Sequence, residues 1–180
     1  MDAPALKRRI ITVLFVTALA AAHAAATPLR GFVSDKTHDY SGAYINDASV
    51  RVRNIELNNI CMVTPGEFKD FEDGKRDADA PIHMHFFVDG ETKNAHEGSN
   101  LIDIAPTAYR VEGGRLSFRA FNKRLGRIAF EGTFDPEFVR SRPAGVDPSD
   151  APGNRPALSG TLTVGRAKFS VAFGWQVCDV

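Results

Sequence analysis

The sequence predicts an all-β protein: a single antiparallel β-barrel or β-sandwich domain preceded by a cleaved signal peptide. Three observations carry this. First, Leu158 to Val177 alternates apolar and polar residues almost to the C-terminus. Side chains on a strand point to opposite faces in turn, so this period of two gathers the large apolar groups on one side. Second, the same alternation recurs at 82–88, 115–121 and 127–134, and Asp89-Gly90 and Gly113-Gly114 read as turns. Third, no long stretch has apolar residues at helical spacing. Alternating strands at short intervals suit a barrel or a sandwich alike.

Residues 1–26 read as a signal peptide. Lys7, Arg8 and Arg9 precede an apolar run from Ile10 to Ala22, and Ala24 and Ala26 form an Ala-x-Ala cleavage pattern. The run is short of the roughly 20 residues a membrane span needs. The remainder, 27–180, reads as one exported domain without a transmembrane segment, in the periplasm or outside the cell. The whole chain has 22 basic and 22 acidic residues. Losing Lys7, Arg8, Arg9 and Asp2 leaves 19 basic against 21 acidic groups. That balance gives no electrostatic case for nucleic acid or an anionic membrane.

In chain order, Leu29 to Val33 could form a short strand and Ser34 to Gly42 a polar loop. Ala48 to Val63 reads as extended. Val50 and Val52 face one way, and Ile55, Leu57 and Cys61 fall on the other parity, which suggests a bulge near Asn54. Asn58-Asn59 suits a bend or turn. Thr64 to Pro81 is a loop or short helix, with Phe68 and Phe71 placed to anchor one helical turn. Its acidic run lacks the ladder and closing Glu of a calcium loop and reads as solvated. Ile82 to Val88 is a strand with Ile82, Met84, Phe86 and Val88 on one face and His83, His85 and Phe87 on the other. Leu101 to Ile104 and Ala108 to Val111 are short strands. Ala108 to Phe134 forms a three-stranded meander whose Arg and Lys residues keep an outer face soluble. Residues 135–157 hold five prolines and read as a long surface loop, with Phe138 and Val139 pinning its start. Leu158 to Val177 forms a hairpin that turns near Val164–Arg166.

Both cysteines, Cys61 and Cys178, lie after the signal segment. Export and an even count predict one disulfide between them.

For chemistry, His83-x-His85 places two imidazoles on the same strand face, and neutral imidazole binds zinc or copper. His38 and His96 are the remaining histidines after residue 26 and could complete a site. No Gly-x-Ser-x-Gly elbow, phosphate-cradling loop or dinucleotide fingerprint marks an enzyme. The expectation is therefore an exported, non-catalytic binding protein for a small apolar ligand held among inward phenylalanines, or for an envelope partner protein. The alternative is a metal protein built on the histidine pair. The sequence assigns no ligand-binding residues for the first reading.

Overall fold

The computed structural model describes residues 29–89, 100–143 and 155–178. Its strands are β1 (Phe32–Ser34), β2 (Gly42–Asn46), β3 (Arg51–Val52), β4 (Ile55–Met62), β5 (Ile82–Val88), β6 (Leu101–Ile104), β7 (Ala108–Glu112), β8 (Arg115–Asn122), β9 (Gly126–Phe134), β10 (Leu158–Val164) and β11 (Ala167–Gln176). Two short helices, α1 (Pro65–Glu72) and α2 (Pro136–Arg140), interrupt them. The strands form one sheet in the order β1-β7-β8-β9-β10-β11-β2-β4-β5-β6, with β3 attached to β4. The sheet curls into an open half-barrel and brings β6 near β8. The pairing is antiparallel except between β1 and β7, which run parallel.

The hairpin that organises the sequence is the middle of this sheet. β10 and β11 pair from Leu158↔Phe173 to Val164↔Ala167, and Gly165, at φ 63°, makes the turn. Leu158, Leu162, Val164, Val171 and Phe173 are buried. Phe169 and Trp175 only pack against the core's margin, and Val177, beyond the strand, is exposed. The inward rings pack on one another: Phe118 on Phe130 at 5.4 Å, Phe130 on Phe173 at 6.0 Å, and Tyr40 on Phe134 at 4.4 Å. Offset and edge contacts at such distances are favourable beyond the area they bury. Gly132 and Gly160 face each other across β9 and β10. A Cβ on Gly160 would lie 2.6 Å from the Gly132 Cα, so the two strands close up only because both positions are glycine.

β3 and β4 differ from the sequence reading in an instructive way. The change of parity at Asn54 is a tight turn, not a bulge. Arg53 takes a positive φ of 58°, and the chain reverses so that Val52 pairs with Ile55. The register shift lies further on, between Leu57 and Asn59. It flips every later side chain of β4. Ile60 and Met62 therefore join Ile55 and Leu57 inside, while Asn59 and Cys61 pair with the outward-facing His85 and His83.

β2 occupies a stretch that the sequence reading left without a strand. It lies between β11 and β4, with Tyr44 fully buried and its hydroxyl donating to the Tyr40 carbonyl at 2.7 Å. The disulfide joins Cys61 of β4 to Cys178 just past β11, with Cα atoms 6.3 Å apart. It thus clasps the two strands that flank β2, on the outer face.

The two helices follow the C-terminal ends of β4 and β9, which run in the same direction, and cover the core at that end of the strands. Thr64 caps α1 in a capping box with Glu67, and Pro65 fits the first turn. Phe68 and Phe71 lie against Tyr109 and Phe32 at the β1 end of the sheet. Asp135 caps α2 by accepting from Glu137 N and Phe138 N, a regular turn inside the proline-rich stretch. Phe138 is buried against Phe134, Tyr44 and Trp175. Arg142 follows, 2% exposed, with its guanidinium 3.7 Å over the Trp175 ring and 4.9 Å from that of Phe138. Burial pulls its pKa below the ordinary value, against the opposing pull of Tyr44 and Asp39.

Two outcomes test this architecture. Replacing both cysteines by alanine is expected to lower unfolding free energy by about 3–5 kcal/mol, because the bridge closes a loop spanning 117 residues. Denaturant titration measures it, and a loss below about 1 kcal/mol contradicts the clasp. Gly160→Ala is expected to cost about 1–3 kcal/mol by forcing β9 and β10 apart, read as a lower denaturation midpoint with the same slope.

Candidate metal site on the outer face of β5 and β6

Alternation along β5 buries Ile82, Met84, Phe86 and Val88 and turns His83, His85 and Phe87 outward. β6 pairs with β5 in the register His85↔Asp103 and Phe87↔Leu101. Opposite residues of an antiparallel pair share a face, so Asp103 stands beside His85 and diagonal to His83. The carboxylate meets both rings. Asp103 Oδ2 is 2.8 Å and Oδ1 3.0 Å from His83 Nδ1, and Oδ1 is 3.8 Å from His85 Nε2. One nitrogen from each histidine and one Asp103 oxygen all lie within 4.8 Å of one another. Three ligand atoms on a tetrahedral zinc stand about 3.3 Å apart, given metal–ligand bonds near 2.0–2.1 Å. An ion held by all three would require side-chain rotations that close the difference.

The site is open to solvent on one side. The side chains of His83 and His85 are 28% and 26% exposed and that of Asp103 is 48% exposed. Phe87 and Leu101, each 45% exposed, form an apolar pair next along the two strands. The other side of the site is β4, with Asn59 opposite His85 and the disulfide-bonded Cys61 opposite His83.

Of the histidines read from the sequence, His83 and His85 come together. His38 does not join them. It contacts Asp35 at 3.0 Å and bridges to Pro143, in the segment that leads into β2. His96 lies outside the described residues. Asp103 was missed, although an acid in the middle of the apolar strand Leu-Ile-Asp-Ile was a visible signal. Its pairing with His85 depends on a register that crosses the 89–100 connection, and no local pattern specifies that.

The Asp35 carboxylate near His38 is held below its ordinary pKa. Burial pushes it up, but hydrogen bonds from Thr37 and His38 outweigh burial. Its neighbour Tyr40 donates to Asp35 at 3.3 Å. Burial, reinforced by the Asp35 charge, pushes the Tyr40 pKa up to about 12. Burial also raises Tyr44 well above its ordinary value. Tyr109 is raised by burial and by Glu72, to which its hydroxyl donates at 3.1 Å.

Among the described residues no helix is long and apolar enough to cross a membrane. The chain matches no protein-family model, no curated protein and no solved structure.

The tyrosines supply a pH test of the core. The chain has three, and all three pKa values are raised. A raised pKa in the folded state leaves stability intact below the unfolded value near 10 and removes it as pH climbs towards the folded value. Native protein is therefore expected to show almost no tyrosinate absorbance at about pH 10, where denatured protein is half ionised. Stability should fall between about pH 10 and the Tyr40 value of about 12. Tyrosinate appearing in native protein near pH 10 contradicts the burial described.

Proposed function

We propose that this chain is an exported metal-binding protein whose His83, His85 and Asp103 hold one zinc or copper(II) ion. The observation that carries the reading is the convergence of these three donors on one face of the β5–β6 hairpin. Two imidazoles and a carboxylate form a borderline donor set that suits zinc and copper(II) better than magnesium or calcium, which take all-oxygen sites. Two imidazoles on one strand and a carboxylate on its hydrogen-bonded neighbour are held by the sheet backbone rather than by a loop, so little order must be gained on binding. Three protein donors leave a coordination position for water or for an outside ligand. Export rests on the charged start, apolar run and small-residue pattern of residues 1–26. The Cys61–Cys178 bridge is compatible with an oxidising compartment.

Protein stripped with chelator and dialysed is expected to bind one zinc ion per chain by isothermal titration calorimetry. His83→Ala and His85→Ala should each weaken binding by at least about tenfold, or 1.4 kcal/mol. Binding unchanged in both variants, or no zinc uptake by the parent protein, overturns the reading.

A further inference from the structure

Asn59 stands directly across β4–β5 from His85, on the same outer face. It is there because of the register shift between Leu57 and Asn59. Without that extra residue Asn58 would oppose His85, and Asn59 would turn inward towards Met84. Its carboxamide Oδ1 is buried and has no hydrogen-bond partner. A buried acceptor left unsatisfied costs about 1–3 kcal/mol, so its retention in a sheet calls for a reason.

The histidine opposite supplies one. His85 points Nε2 at Asp103, 3.8 Å away, which makes Nε2 its ligating nitrogen. The other ring nitrogen, Nδ1, must then carry the proton. A metal-bound imidazole that donates this N–H to an acceptor is fixed in tautomer and orientation and is a stronger ligand. His83 and Asp103 are already engaged with each other. Cβ atoms of opposed residues lie about 4.5–5.5 Å apart, within reach of an amide-to-imidazole bond.

We infer that Asn59 is a positioning residue for the metal site, its Oδ1 accepting the Nδ1–H of His85 when Nε2 binds the ion. This rests on the metal reading above. It adds that β4, through its register shift, sets the affinity of a site whose ligands all come from β5 and β6. It also makes His85 rather than His83 the imidazole whose tautomer is governed from β4.

The test uses the full chain with its disulfide and zinc as the probe. Asn59→Ala is expected to weaken zinc binding by about 10–100-fold, the usual effect of removing such an acceptor. Asn59→Asp keeps an acceptor oxygen and is expected to bind at least as tightly as the parent. Circular dichroism and the denaturation midpoint without zinc report whether either variant disturbs β4. A merely structural role would move these and would not be rescued by Asp. Long-range nitrogen–proton NMR supplies a separate readout. In the zinc-loaded parent, His85 should carry its proton on Nδ1 with slow exchange, and in a folded Asn59→Ala protein that proton should exchange fast. Asn59→Ala binding within about twofold of the parent, while His83→Ala loses zinc, overturns the role of Asn59 and leaves the metal site standing. Zinc binding untouched by His83→Ala and His85→Ala overturns both.

Discussion

Each side chain on this sheet has two options, the packed interior of the half-barrel or its outer face, and one extra residue in β4 switches between them. Up to Leu57 the strand sends Ile55 and Leu57 inward. After the register shift it sends Ile60 and Met62 inward instead, and Asn59 and Cys61 outward. Burying residues of that size is worth about 1.5–3 kcal/mol each. A slip back into uninterrupted register would expose Ile60 and Met62 and bury Asn59 and Cys61. The shift is therefore fixed by the core, and the outer face inherits its consequences.

Those consequences are the disulfide and the histidine cluster. Cys61 can reach Cys178 because both stand on the outer side near the start of β2, where Ala43 pairs with Cys61 on one side and Gln176 on the other. His83, His85 and Asp103 share that side because alternation along β5 and the β5–β6 register leave them no other. The clasp and the cluster therefore adjoin through the Cys61↔His83 pair. The core stiffens the strands from within, and the bridge restrains them from without.

Much of this could be read from the chain alone. β5 and β8 to β11 follow from alternation, since each has one wholly apolar face against the interior. The cysteine pairing followed from a count of two. β2 escaped because it is five residues long and begins at Gly42, and because its apolar residues Ala43, Tyr44 and Ile45 are consecutive and do not alternate with polar ones. The β3–β4 turn was read as a bulge because a reversal and an extra residue produce the same change of parity in a linear sequence. The sequence reading offered a barrel or a sandwich, and the chain forms one curled sheet that stays open. Asp103 and Asn59 were hidden for a common reason: each matters through its cross-strand partner, and long-range register is written in no local pattern. His38 shows the converse, a candidate by composition that the topology places with Asp35 instead.

On the proposed reading, the outer face of β5 and β6 presents two imidazoles and a carboxylate to one ion, with the cysteines held apart from it in their bridge. X-ray absorption at the zinc edge of the loaded protein tests this most directly. The expected result is a first shell of nitrogen and oxygen alone at about 2.0–2.1 Å, with the outer-shell scattering of two imidazoles. Sulfur at about 2.3 Å, or scattering from fewer than two imidazoles, would contradict it.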